Sequence, residues 1–224
     1  MFMCGRFVNI TKINKLKKIL DIKDTFNTLG DIISYNIAPS TDVNVILKNG
    51  NLTIESINWG IQFIDKVNNQ INTVINSRIE TVKEKILFKE SFLKRRCLIP
   101  ANGYYEWQYN NGVKIPYFIQ LPTLETFYFA GLWKYSNITK SVKKNFSILT
   151  KKANNLINSI HHRMPIILNI DEGISYIEQE QNLLEKNFIS KIEEDLDFYS
   201  VSKIVNSPKN NTIECVQPIS LLGK

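Results

Sequence analysis

A chain of 224 residues, 43% of them hydrophobic, is long enough to bury one substantial core. It shows neither a run of about 18 apolar residues that could cross a membrane nor a secretory signal at its start. Three scattered cysteines in no Cys-x-x-Cys spacing argue against a disulfide framework or structural zinc and for a reducing cytoplasm, while a net charge of +7 favours a polyanionic partner or reflects a Lys- and Asn-rich composition.

In chain order the first chemically suggestive residue is Cys4, in Met1-Phe2-Met3-Cys4-Gly5-Arg6-Phe7. A cysteine that is the first residue of a chain is a 1,2-aminothiol. Its amine condenses with an aldehyde to an imine, and its own thiolate then closes a five-membered thiazolidine; an internal thiol gives only a reversible hemithioacetal. Ordinary pKa values of roughly 7.7–8.0 for the amine and about 8.5 for the thiol leave both partly available at neutral pH. The alternative for Cys4 is a small buried hydrophobe. Thr11 is the expected N-cap of a short helix with Ile13, Leu16, Ile19 and Leu20 on its apolar face. β-rich runs at 43–47 and 52–57 flank Lys48-Asn49-Gly50-Asn51, a hairpin signal. Further strands are expected at 97–99, 104–108, 117–121, 126–133 and 146–149, with Asn110-Asn111-Gly112 turning the second into the third. Helices are expected near 79–88, 151–157, 171–178 and 183–192. Many short strands with interspersed helices, unbroken by repeats or linkers, indicate one α+β domain over 1–224 and not a βαβ parallel sheet.

Five ordered segments carry a more specific signal: Cys4-Gly5-Arg6-Phe7, Tyr35-Asn36-Ile37-Ala38-Pro39-Ser40, Ile75-Asn76-Ser77-Arg78-Ile79-Glu80-Thr81, the run from Arg95 to Trp107 and Ile160-His161-His162-Arg163-Met164-Pro165. Together they resemble the SRAP family, the SOS response-associated peptidases understood as abasic-site processing proteins. The resemblance extends to about Pro218 through Val201–Asn206 and Glu214–Pro218. It implies an antiparallel barrel-like β-sheet core with peripheral helices and a DNA-binding groove. It also implies single-stranded DNA containing abasic sites as partner, no metal or organic cofactor, and a monomer without membrane association in the cytoplasm, at the nucleoid. Of the 28 basic residues only Arg6, Arg78, Arg95, Arg96 and Arg163 are arginines, and all lie in these segments. A planar fork for phosphate suits those positions, with internal ion pairing as the alternative.

The family usually begins Met-Cys-Gly-Arg-Phe, so the expectation here is that Met3 is the true start and that its removal makes Cys4 residue one. Phe2 is too bulky for ordinary removal of Met1. Glu106 shares a strand face with Tyr104 by period-2 alternation, so aromatic surroundings are expected to raise its pKa into general acid/base range. By resemblance Glu106 moves the proton that opens the sugar hemiacetal, and His161 stabilises the opened form, with His162 at the variable position of the motif. Asn76 is expected to orient the sugar or thiazolidine and Arg78 to take the adjacent phosphate, while Glu80 pairs with a buried Arg. Asn36 and Pro39 are expected to wall the groove, Arg6 and Arg163 to clamp phosphate and Thr150 to contact the strand. Trp59, Trp107 and Trp133 could stack on bases or bend the strand; for Trp107 and Trp133 core packing is at least as well supported. Ile61-Gln62-Phe63-Ile64-Asp65 lacks the Pro and second Trp that usually follow Trp-Gly in the family. The resulting expectation is a covalent thiazolidine crosslink to abasic DNA, with associated lyase and autoproteolytic activity. Two alternatives are a thiol peptidase using Cys4 and His161 and a non-enzymatic single-stranded DNA-binding module.

Overall fold

The computed structural model describes residues 4–136, 138, 142–178 and 188–219. The first half contributes β1 (Arg6–Asn9), α1 (Ile13–Leu20), β2 (Asp24–Phe26), β3 (Ser34–Ile37), β4 (Asp42–Asn49), β5 (Asn51–Trp59), β6 (Ile61–Ile64), β7 (Ile71–Val74), β8 (Asn76–Arg78) and α2 (Ile86–Lys94). The second contributes β9 (Arg96–Ala101), β10 (Gly103–Asn110), β11 (Val113–Gln120), β12 (Phe127–Ser136), β13 (Lys143–Lys152), β14 (Arg163–Pro165), β15 (Ile167–Leu168), α3 (Ile170–Ile177) and β16 (Asp197–Ser200). This is the expected α+β chain.

Strands β13, β12, β9, β4 and β5 pair in that order, and β13 returns to β5, so the five close into a barrel. All neighbours are antiparallel except the closing pair, where Asn145 and Phe146 run parallel to Asn58 and Trp59. A second, five-stranded sheet in the order β16-β11-β10-β1-β3 covers one end of the barrel. Alternation sorts the apolar residues. Val45, Ile57, Ile99, Phe129 and Ile148 form the inner cluster, joined by Phe7, Tyr104 and Ile119 of the second sheet. Ile46, Leu98, Leu132 and Leu149 point outwards and are covered by Leu16, Phe92 and Tyr176 of the three helices. Val8, Tyr105 and Phe118, on the far face of the second sheet, pack under Val205, Cys215 and Val216. Burial of this kind is worth roughly 1.5–3 kcal/mol per large apolar side chain. At Gly131 a Cβ would lie 2.4 Å from the Ile99 Cδ1 and 2.8 Å from the Cys97 Sγ, so only glycine fits the crowded interior there.

The turn at 110–112 forms as its residues suggest. Asn111 (φ 47°) and Gly112 (φ 78°) are both left-handed, the geometry that matches the twist of a two-residue hairpin. Helix α3 opens on a capping box, with the Asn169 side chain accepting from the Glu172 N–H and Glu172 accepting from the Asn169 N–H.

Five expectations need correction. Thr11 does not cap α1: its hydroxyl bonds Asn102 at 3.0 Å and Thr126 at 2.8 Å, and the Ile13 N–H is taken instead by Asp31 at 2.7 Å. Ile19 is 45% exposed, so the buried face of α1 rests on Leu16 and Leu20. The helix expected at 79–88 begins only at Ile86, because the Ile79 N–H continues the β8–β13 ladder to the Thr150 carbonyl at 3.0 Å. The helix expected at 151–157 is absent, since Lys151 and Lys152 pair with Met164 and Arg163 as the end of β13. Of the helix expected at 183–192, residues 183–187 lie outside the described residues and 188–192 are not helical.

Candidate active site

The register of β1 on β10 pairs Arg6 with Tyr105 and Phe7 with Tyr104, which carries the residues just before β1 alongside Glu106. The Cys4 backbone N–H donates to the Glu106 Oε1 at 3.1 Å. On the other side of that oxygen lies the His161 Nδ1, at 3.4 Å. The same Nδ1 lies 3.1 Å from the Arg163 N and 3.2 Å from the Arg163 carbonyl oxygen, so the tautomer of the neutral ring decides which of the two it bonds. His161 is itself held by its backbone N–H on the Ile157 carbonyl at 3.0 Å. Cys4 sits at a positive φ of 33°.

All three side chains are buried, and burial dominates their electrostatics. It raises Glu106 to about 7, against the lowering effect of hydrogen bonds from the Cys4 and Trp107 backbones and of the Lys114 charge. It pushes the Cys4 thiol well above the ordinary thiol range, assisted by the Glu106 charge. It lowers His161, an effect that its contact with the Arg163 backbone partly opposes. At neutral pH the arrangement therefore combines a protonated thiol, a neutral imidazole and a carboxyl poised to give or take a proton.

Two clefts meet beside these groups. One, of about 670 Å³, is lined by Gly5, Arg6, Pro39, Ser40, Thr73, Ile75, Trp107, Lys114 and Asn206. The other, of about 610 Å³, is lined by residues that include Phe63, Thr73, Ile75, Asn76, Arg78 and Lys85. They share Thr73 and Ile75, and a Cβ on Gly5 would lie 4.0 Å from the Ile75 Cδ1, so the junction is next to Cys4. Asn76 and Arg78 are brought there because β8 lies parallel to β13, Asn76 beside Ile148 and Arg78 beside Thr150.

The structure thus gathers Cys4, Glu106 and His161 into one cluster, with Arg6, Pro39, Asn76 and Arg78 along the clefts. Other expected contacts are taken up inside the protein. Trp59 is wholly buried, donates from Nε1 to the Ile75 carbonyl at 3.0 Å and stacks on Phe146; it offers no ring face to a base, which corrects the expectation of a stacking surface there. Arg163 forms a forked pair with Glu80, one arm at 2.9 Å, and also donates to the Thr150 carbonyl at 2.9 Å. This is the internal pairing foreseen for Glu80, and it removes Arg163 and the buried Thr150 from any open surface. Asn36 spends its amide on the carbonyls of Val205, Ser207 and Asn210, and Arg6 donates to Val205 at 2.8 Å while still lining the first cleft. Sequence reasoning did not single out Lys114 or Lys85, and it underrated Trp107. The alternation placing Trp107 opposite Glu106 on β10 was the available signal.

The family model for SOS response associated peptidase (SRAP) matches residues 3–208. The chain is 34% identical over 223 residues to "Abasic site processing protein YoqW" of Bacillus subtilis (strain 168), covering 96% of this chain and 99% of that one. It is 28% identical over 228 residues to "Abasic site processing protein HMCES" of Xenopus tropicalis, covering 85% and 68% respectively. A crystal structure of a protein from Bacteroides thetaiotaomicron shares the fold, with a TM-score of 0.78 at 23% identity over 96% of this chain and 99% of that one.

Proposed function

The chain belongs to the SOS response associated peptidase (SRAP) family, and from that membership we propose that it captures abasic sites in single-stranded DNA through Cys4 as the first residue of the mature protein. The observation that carries this reading is the placement of the Cys4 nitrogen 3.1 Å from a carboxyl oxygen that also faces His161 at 3.4 Å. With Met3 as the start and removed, that nitrogen is an amine. Lysines and arginines of the clefts hold the strand backbone, a contact that weakens with salt.

An abasic deoxyribose is mostly ring-closed. Opening it moves a proton from the 1′-hydroxyl to the ring oxygen, a transfer suited to a carboxyl whose pKa is about 7. His161, neutral beside Glu106, stabilises the opened form. The Cys4 amine attacks C1′, the resulting hydroxyl leaves as water with a proton from Glu106, and an imine remains. The thiol then adds across the C=N bond: sulphur bonds C1′, its proton goes to nitrogen, and the thiazolidine closes with a net loss of one water. Asn76 orients the sugar and Arg78 takes the neighbouring phosphate. The imine also accounts for an associated β-elimination lyase activity, and reversal or self-proteolysis releases the protein. The setting is the SOS response to DNA damage, with a monomeric, single-domain protein at the nucleoid. A conventional thiol peptidase is less well supported, because such a nucleophile needs its thiol pKa lowered, whereas burial and Glu106 raise that of Cys4.

The test mixes the natively expressed protein with an abasic single-stranded oligonucleotide and resolves the products on a denaturing gel. The expected result is a 1:1 adduct on the Cys4 peptide, absent from Cys4→Ala and from a variant with one uncleavable residue ahead of Cys4. An adduct formed by protein whose intact mass retains anything before Cys4 rules the mechanism out.

A further inference from the structure

The outer face of the β10–β11 hairpin carries residues that the capture chemistry does not use. The register pairs Trp107 with Pro116 and Tyr109 with Lys114, so all four side chains stand on the face opposite Glu106. The Trp107 indole is fixed in orientation by its N–H on the Asn206 Oδ1 at 2.8 Å. Lys114 Nζ lies 4.9 Å from the Trp107 ring centre. Tyr109, two residues further along the strand, is 64% exposed. Successive same-face residues on a strand are about 7 Å apart, room for one base on each ring. Trp107 and Lys114 also line the cleft that holds Arg6 and Pro39, so this face continues the path to Cys4.

We infer that Trp107, Tyr109 and Lys114 form a stacking platform for the unpaired bases next to the captured site, with Lys114 moving from the indole onto a phosphate as the strand arrives. Single-stranded nucleic acid is the occupant that fits. Two aromatic faces accept any base, an adjacent ammonium and the Arg6 guanidinium match the backbone charge, and the surface is continuous with the clefts. The inference rests on the reading of DNA as substrate, but it requires no aldehyde.

It is therefore tested with an unmodified thymidine oligonucleotide of roughly ten residues, a length within the usual span of single-strand sites. Binding is followed by tryptophan fluorescence and by fluorescence anisotropy of the labelled strand. Trp59 is buried and Trp133 is half-buried against the core beneath Lys144, so the quenching assigned to Trp107 is the part that disappears in Trp107→Leu. Tyr109→Ser and Trp107→Leu should each weaken binding roughly 5- to 150-fold. Lys114→Gln should reduce the slope of log affinity against log salt by about 0.7. Tyr109 is exposed enough that its variant keeps the fold, which a thermal melt checks. If Tyr109→Ser and Lys114→Gln bind with wild-type affinity and salt slope, or if the wild type ignores the oligonucleotide, the platform is wrong and the face serves another partner. Wild-type binding without any adduct on abasic DNA overturns the capture reading and leaves the platform standing. Adduct formation with unaffected variants does the reverse.

Discussion

Glu106 shows how a single residue acquires its chemistry from its surroundings. It is 2% exposed, and removal from water outweighs the hydrogen bonds and the Lys114 charge that favour its ionised form. Its folded pKa of about 7 lies above the unfolded value of roughly 4.3, so its contribution to stability is complete below the unfolded pKa and is lost as pH rises to about 7. That loss is on the order of 3 kcal/mol. His161 is shifted downward and works in the opposite sense, so the informative quantity is a difference between proteins. Denaturant titrations of wild type and Glu106→Gln between pH 4 and 8 should show the variant lacking this decline. Its adduct formation on abasic DNA should be slower by roughly 10²- to 10⁴-fold and should lose the Glu106 limb of the pH profile. The alternation of Tyr104 and Glu106 made this burial legible in the sequence. The fate of Trp59 was not legible, because an indole beside glycine reads the same whether it faces solvent or, as here, Phe7 and Phe146.

Strands β8, β13 and β14 act together as the element that presents Asn76 and Arg78, and Arg163 is their internal fastening. Its guanidinium joins Glu80, just beyond β8, to the Thr150 carbonyl of β13. Glu80→Ala leaves a largely buried cation without its partner and should cost roughly 2–3 kcal/mol, read from the denaturant midpoint. Glu80→Asp, which keeps the charge on a shorter arm, should recover part of the loss. The same element explains why local reading failed at its two ends. Residues 79–85 and 151–157 carry helix-compatible patterns, yet the leading residues of each are committed to strand partners outside the segment, Ile79 to Thr150 and Lys152 to Arg163. Long-range pairing overrides propensity at such places. Where the determinants are local, as at Asn111-Gly112 or the Asn169–Glu172 capping box, sequence and structure agree.

Across the whole molecule, the strand-rich pattern announced an α+β domain, the family resemblance implied its barrel-like core, and the main hairpins follow from turns and alternation. What no local pattern contained was the way the ring shuts. The β4–β5 hairpin is secured by eight residue pairs and the β12–β13 pairing by six, whereas β5 meets β13 through two. Those two join segments more than eighty positions apart, further than any other pair within the barrel, so they lock late in folding and carry its largest loop-closure penalty. Immediately beyond, β13 turns its edge to β8, the carrier of Asn76 and Arg78. Amide exchange should therefore run faster at Gly60, whose N–H bonds the Phe146 carbonyl across this closure, than within the β4–β5 and β12–β13 ladders, and should slow there when DNA bridges β8 to Gly5. A zipper with so short a final catch can part there while the cloth on either side stays whole.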